Sequence, residues 1–287
     1  MRTRLHRIQG FVVVLLAAAA CSSTGIVTIA GNGQSKTERR EVAAFDAITV
    51  SDSLMATITL APDQPQSVQL SGDANLLPFV SATVSGNELT LDLASSTPIA
   101  PKLRLAVVVS ARALHALRAD NAAEAVASAV SGDDVSIESS GSADVKVARI
   151  TAANRLVLAS HNVGKLAVAT ITAGGPFTLT ADHSGQIEAM AITATQPLTL
   201  VASNVADVAI GGTAPLITAQ LSGSASLRGQ DLSAASVVIT ASNVSTAQVC
   251  ATASLDATLT TSSQVAYHCN PAKVTRSVDQ TSTLTQE

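Results

Sequence analysis

The sequence predicts an all-β fold, a parallel β-helix or β-solenoid with coils of about 20 residues. Two observations lead to this prediction. One pattern, apolar–x–apolar on each side of a short polar centre, returns from residue 120 to residue 269. The chain is also rich in small residues, with only four Phe, one Tyr and no Trp, which suits a narrow coil interior.

Each repeat is predicted to be a strand, a bend and a second strand. The flanks alternate apolar and polar residues, as strands with one buried face do. The centres are Gly, Asn, His or Ser; Gly, Asn and His tolerate positive φ better than other residues. These centres form a predicted bend ladder, at spacings of 20, 21, 21, 21, 19, 20 and 20 residues: Asn121, Gly141, Asn162, His183, Asn204, Gly223, Asn243 and Ser263.

Two short strands cannot bury an apolar face alone, so each repeat is expected to stack on the next, about 4.8 Å away. A third strand is predicted where Ile-Thr-Ala segments begin at Ile150, Ile171 and Ile192. Phe177 falls at an inward-facing position of this pattern. A β-sandwich made of separate hairpins is the alternative topology.

The predicted solenoid domain covers residues 37–275, with N-terminal strands in 37–113 and repeats in 114–270. The N-terminal strands are expected to stack on the first coil. Between residues 82 and 91, Gly86 and Asn87 separate two alternating runs and predict a hairpin. Residues 276–287 are predicted to be a polar C-terminal tail.

Residues 1–20 are typical of an export signal, with Arg2, Arg4 and Arg7 before an apolar run. Small residues directly before Cys21 resemble a bacterial lipobox, although Ala18 stands where Leu is usual. We predict that Cys21 is lipidated and that residues 21–36 form a tether to the membrane. Ser22 resembles the outer-membrane sorting preference, with a periplasmic or cell-surface location. A secretory signal cut after Ala, leaving a spare thiol, is the alternative.

Cys250 and Cys269 are predicted to form a disulfide, because export would place them in an oxidising compartment. They are 19 residues apart, almost one repeat, which puts them on adjacent coils. The 20-residue spacing aligns Cys269 with Val249, one residue away from Cys250. The alternative is two buried thiols.

The charge balance argues against nucleic acid as a partner. Residues 1–20 hold three of the 17 basic residues, so 14 remain against 21 acidic residues, a formal charge of −7. Nucleic-acid binding needs basic surface and usually stacking aromatic residues. The same charge disfavours electrostatic binding to anionic lipid, so the N-terminal lipid would provide the membrane contact.

No catalytic site, cofactor or metal is predicted. Asp144, Lys165 and Asp207 share one column of the repeat, which we interpret as a surface ladder of charges. His161, His183 and Asp182 lie close together at adjacent bends, but a left-handed bend explains His183 better than a metal site does. P-loop, dinucleotide-binding and nucleophile-elbow motifs are absent from the sequence.

The order of several segments is similar to that of the putative auto-transporter adhesin head (GIN) domain family. They are residues 45–48 (Phe-Asp-Ala-Ile), 72–77 (Gly-Asp-Ala-Asn-Leu-Leu), 85–91 (Ser-Gly-Asn-Glu-Leu-Thr-Leu) and the Ser-Gly-Ser repeats at Gly141 and Gly223. The resemblance covers roughly residues 33–275. It departs at Tyr267–Pro271, where a Gly is usual between Tyr and Pro. The family implies an exported, often lipid-anchored β-helical domain without catalytic residues.

These observations together predict a non-catalytic, lipid-anchored, extracytoplasmic binding or scaffold protein of the cell envelope that resembles an adhesin. Its partners would be the membrane, through the N-terminal lipid, and a surface polymer or protein ligand. Two alternatives remain open. One is a β-helical carbohydrate-active enzyme such as a polysaccharide lyase or hydrolase, and the other is a purely structural envelope protein.

Overall fold

The computed structural model describes residues 28–94 and 98–287. Within these ranges nearly every element is a β-strand, apart from one short 3-10 turn at Leu77–Phe79. No helix among these residues has the length and apolar character to cross a membrane. The predicted signal segment and Cys21 lie outside the described residues.

The strands fall into an N-terminal group and a long series of coils. The N-terminal group contains β1 (Ile29–Ala30), β2 (Ser35–Arg40), β3 (Ala47–Val50), β4 (Met55–Leu60), β5 (Ser67–Asp73), β6 (Val80–Ser85), β7 (Glu88–Leu93), β8 (Ile99–Ala100) and β9 (Ala106–Ala111). The coils contain β10 (Ala116–Ala119), β11 (Glu124–Ala127), β12 (Val130–Ser139), β13 (Asp144–Ser160), β14 (Lys165–Ala173), β15 (Phe177–Ala181), β16 (Gln186–Ala194), β17 (Leu198–Ala202), β18 (Asp207–Leu221), β19 (Ser226–Ser242), β20 (Thr246–Thr260), β21 (Gln264–His268), β22 (Lys273–Val278) and β23 (Thr283–Gln286).

These strands form a parallel β-solenoid with three faces, as the repeat predicts. Face one holds the strand segments before each bend, face two holds those after it, and face three holds the Ile-Thr-Ala segments. Each residue pairs with its equivalent one coil away: Ile137 with Leu158 on face one, Val145 with Leu166 on face two. On face three Ile150 pairs with Ile171. The inward side chains, Phe177 included, are buried and form one continuous apolar core.

The N-terminal strands stack on the first coil, as predicted, but their order in the stack differs from their order in the chain. Strands β3 and β4 lie between the coil formed by β7 and β9 and the coil formed by β10 and β11. Strand β6 then pairs antiparallel with β7, and β5 with β9, while β2 pairs antiparallel with β5. We call these three antiparallel strands the N-terminal cap. Gly86 and Asn87 form the hairpin turn between β6 and β7, both with positive φ.

Seven of the eight predicted bend centres have φ between 56° and 73°, the left-handed region. Ser263 is the exception: it is buried, and Thr261 and Ser262 have the positive φ values instead. The pairing of β19 with β20 shifts between Gly229 and Ser233, which shortens this coil. The extrapolated 20-residue spacing therefore places the bend two residues too late.

Both ends of the predicted domain need correction. The predicted tether includes β1, which pairs with β8, and the start of β2. The predicted C-terminal tail is part of a further coil, because β22 pairs with β20 and β23 pairs with β21. This last coil does not follow from the apolar pattern, because Arg276 stands between Val274 and Val278 where an apolar residue would continue the alternation.

Candidate binding surface on face two

Face two carries a concave surface, a trough between two columns of outward side chains. The first column contains Thr57, Val126, Lys146, Ala167 and Glu188, which pair in register across five successive coils. The second column lies two residues further along each strand and contains Thr59, Ser128, Ala148, Ala169 and Met190. Ala148 and Ala169 in the second column and Ala167 in the first are small and leave space between the columns, whereas Lys146 and Glu188 border that space with charged side chains.

The trough has a volume of about 540 Å³ and is lined mainly by apolar atoms. Four coil steps of about 4.8 Å make it roughly 19 Å long. At its far end the Met190 side chain is 44 % exposed. A large apolar side chain that is exposed in a mainly apolar concavity is typical of a binding surface.

A smaller depression of about 230 Å³ adjoins the trough and shares Lys146, Ala167 and Glu188 with it. Its charged side chains come from neighbouring coils. Lys146 Nζ lies 2.7 Å from Asp144 Oδ2, and Arg228 donates to Asp207 Oδ1 at 2.7 Å. Lys165 and Glu188, which also line it, form no ion pair within the described residues.

The predicted column of charges is therefore present, because its residues pair in register, but only some of its charged side chains form ion pairs. Asp144 pairs with Lys165, Lys165 with Gln186, and Gln186 with Asp207 along the stack. The carboxylates of Asp144 and Asp207 are both neutralised by cations from the column two residues away, Lys146 and Arg228. The arrangement forms ion pairs on an exposed face, and it leaves one cation and one carboxylate free to contact a ligand.

His161, Asp182 and His183 meet at one corner of the coil stack. Nδ1 of His161 lies 2.7 Å from Asp182 Oδ2, and Nδ1 of His183 lies 2.9 Å from Asp182 Oδ1. Partial burial raises the pKa of Asp182, but the hydrogen bonds from both histidines outweigh it and hold that pKa below its ordinary value. The carboxylate thus bridges two adjacent coils, and within the described residues no group of three or more candidate ligands forms a metal cluster.

Face three has a different surface, an uninterrupted column of exposed hydroxyl groups. Its residues pair in register across six coils: Ser131, Thr151, Thr172, Thr193, Thr213 and Ser233. Like positions of neighbouring coils lie about 4.8 Å apart, so the hydroxyl groups repeat at that interval. We call this column the hydroxyl ladder; it presents hydrogen-bond donors and acceptors at exposed positions.

The remaining predicted site residues are the cysteines. Cys250 and Cys269 are joined by a disulfide with a Cα–Cα distance of 5.2 Å, which confirms the predicted pairing. The register differs from the prediction, because Val249 pairs with Tyr267 and Cys250 with His268. The disulfide links neighbouring coils, and one more coil follows it.

Two features were missed by the sequence reasoning. Asp73 is fully buried, and its carboxylate accepts hydrogen bonds from the backbone N–H groups of Gly33, Lys102 and Leu103. No repeat or spacing singles out this residue. The trough was missed because its Ala and Thr residues look like ordinary exposed strand positions until the register places them side by side.

Comparison with known proteins gives one family and several similar folds. The family model "Putative auto-transporter adhesin, head GIN domain" matches residues 44–172 and 157–271. No curated protein matches the chain.

Solved structures with the same fold come from Parabacteroides. A "putative lipid binding protein" from Parabacteroides distasonis is 16% identical with a TM-score of 0.63, over 91% of this chain and 100% of that one. A "putative adhesin" from Parabacteroides merdae is 16% identical with a TM-score of 0.62, over 91% and 99% of the two chains. The two family matches together cover most of the sequence, so the chain belongs to the auto-transporter adhesin, head GIN domain family.

Proposed function

We propose that the protein is a non-catalytic, lipid-anchored, adhesin-like binding protein of the cell envelope. The trough on face two carries this proposal, because it is a preformed apolar concavity on a rigid stack of paired strands. The family match supports a binding role outside the cytoplasm. The Cys250–Cys269 disulfide supports an oxidising compartment.

In this proposal Cys21 carries the lipid anchor, and the first described strand, β1, starts at Ile29. Lipid labelling and fractionation of cells that produce the wild-type or the Cys21→Ser protein test this part. Label on the wild type alone and its presence in the membrane fraction are the expected results. An unlabelled wild-type protein released with the soluble export fraction would overturn the anchor.

Protease treatment of intact cells then tests surface display, and an adhesion assay tests binding. We expect the protease to remove the domain, and cells with the wild-type protein to adhere to matrix, glycan or lipid coatings more strongly than cells with the Cys21→Ser protein. A protected domain, or equal adhesion of both strains, would contradict the adhesin-like role.

Two matched sets of substitutions show which face mediates adhesion. Ala148→Phe fills the trough, whereas Thr151→Val, Thr172→Val and Thr193→Val together remove hydroxyl groups from face three with little change of shape. Loss of adhesion with the first variant alone is the expected result. Loss with the second variant alone would assign adhesion to the hydroxyl ladder.

A further inference from the structure

The trough and the adjoining depression differ in chemistry, and together they describe an amphiphilic ligand. Ala148, Ala167 and Ala169 line the trough beside Lys146, whereas the depression contains the charges of Lys165 and Glu188 that form no ion pair within the described residues. The two cavities share Lys146, Ala167 and Glu188, so charged side chains border the apolar trough where the cavities meet. A ligand that fills both needs an apolar part and a charged part joined directly to each other.

The shape of the trough favours a single unbranched chain. The trough is an open strip, roughly 19 Å long, that lies between two neighbouring columns of side chains and is lined mainly by apolar atoms. One extended polymethylene chain can lie along such a strip, whereas a peptide strand or a sugar chain is wider and needs polar partners along its length. A phospholipid acyl chain spans about 15 Å, half of the roughly 30 Å hydrocarbon core of a bilayer, so its length also fits.

The charges of the depression favour a zwitterionic head group. Asp144 is paired with Lys146, and Asp207 with Arg228, so these four charges cancel. The remaining cation, Lys165, and the remaining carboxylate, Glu188, complement one anion and one cation on a ligand. A purely anionic head group would meet Glu188 without a partner for it.

We propose that face two binds a single-chain zwitterionic lipid of the lysophosphatidylethanolamine type. The acyl chain lies in the trough, the phosphate faces Lys165, and the ammonium group faces Glu188. This inference rests on the proposed binding function and names its ligand class.

Met190 provides a direct readout, because the described residues contain only two methionines and the other, Met55, does not line the trough. The Cys21→Ser protein, labelled with ¹³C at its methionine methyl groups, is titrated with monomeric 1-palmitoyl lysophosphatidylethanolamine. A saturable shift of the Met190 methyl signal, with Met55 unchanged, is the expected result. An unmoved Met190 signal would overturn the proposal.

Two phenylalanine variants on the same strand test the position of the chain. Ala148→Phe fills the trough and is expected to weaken binding at least tenfold. Ala159→Phe makes the same change on face one of β13 and is expected to leave the affinity unchanged. Equal weakening by both variants would overturn the assignment to the trough, provided that both keep the wild-type circular dichroism spectrum and melting temperature.

Palmitic acid and glycerophosphoethanolamine separate the two halves of the ligand. Each is expected to bind at least fivefold more weakly than the complete lipid. Lys165→Gln should weaken binding of the lipid and of palmitic acid, whereas Glu188→Gln should weaken only the lipid. Palmitic acid binding as tightly as the lipid would overturn the head-group assignment.

The lipid proposal and the adhesin-like role can fail separately. If the Met190 signal shifts with the lipid but the cells do not adhere, only the adhesin-like role is wrong. If the cells adhere but the Met190 signal does not shift, only the lipid proposal is wrong.

Discussion

The two ends of the solenoid are closed in different ways. At the N-terminal end, antiparallel strands cover the first coil, and the buried Asp73 carboxylate binds three backbone N–H groups from two separate segments. At the C-terminal end, the coil simply continues in parallel through β22 and β23, and the Cys250–Cys269 disulfide lies one coil before the end. A buried polar contact stabilises one end, and a covalent link stabilises the other.

The difference has a physical reason. Each coil of the stack is stabilised only by the coils next to it, so a terminal coil frays unless a further contact stabilises it. In the N-terminal cap, long-range antiparallel pairing encloses residues that must then be hydrogen-bonded. Strand β22 has no such enclosure, because five of its six residues, from Lys273 to Ser277, are exposed. A covalent link near this end limits fraying where burial cannot.

The largest expected effect comes from removing the Asp73 carboxylate. Asp73→Ala leaves three N–H groups without their acceptor in a buried site, which is costly because buried donors must be paired. We expect the melting temperature to fall by roughly 5–10 °C, with loss of hydrogen-exchange protection in β2 and β5 first. Asp92→Ala, a partly buried carboxylate on β7 opposite Ser81 of the cap strand β6, is the control. A melting temperature equal to that of the control would show that Asp73 does not hold the cap.

The second effect concerns the C-terminal end. Replacing both Cys250 and Cys269 by Ser removes a cross-link between residues 19 apart, which for a loop of this size is worth about 3 kcal/mol. Because coils interact only with neighbours, we expect β21, β22 and β23 to lose hydrogen-exchange protection while β10–β16 keep theirs. Loss of protection spread evenly over the whole stack would argue against an end-specific role.

The third effect compares a turn in the N-terminal cap with a bend in the coils. A Cβ on Gly141, with φ of 66°, would lie 2.9 Å from the Asn121 backbone, whereas one on Gly86, with φ of 58°, would meet nothing within 4 Å. Ala at either position is strained by positive φ and is expected to cost about 1 kcal/mol. Gly141→Ala should lower the free energy of unfolding by about 2 kcal/mol more, because the coil below must also shift. Equal losses in denaturant titrations would mean that neighbouring coils separate easily.

How much of this could be predicted depends on whether a feature repeats. The coil stack, seven left-handed bends and the disulfide follow from a period that the sequence shows openly. Ser263 was misplaced, because one short coil breaks the period without leaving a mark in the apolar pattern. Asp73 occurs once, and its role comes from segments about 30 and 40 residues away, so no local pattern identifies it. The trough depends on which small side chains lie side by side, which only the register decides.

The smallest effect is the acid response of the C-terminal end. Asp279 accepts hydrogen bonds from the backbone N–H of Thr261, at 2.6 Å, and from Thr281 and Ser282 in its own turn. The N–H of Thr261 is the main cause that holds the pKa of Asp279 well below its ordinary value of 3.8. The folded form therefore binds a proton less readily than the unfolded form.

The stabilisation by this carboxylate is complete above pH 3.8, and it is lost as the pH falls below that value towards the pKa of the folded form. Hydrogen exchange in β22 and β23 should accordingly lose protection in this range beyond the change in intrinsic exchange rate. Asp279→Asn should lack this extra loss and show weaker protection already at neutral pH. Asp256→Asn, on an exposed position of β20, is the matched control and should behave as the wild type. If the Asp279→Asn protein lost protection in acid as the wild type does, another carboxylate would control this end, and the lowered pKa of Asp279 would have no structural consequence.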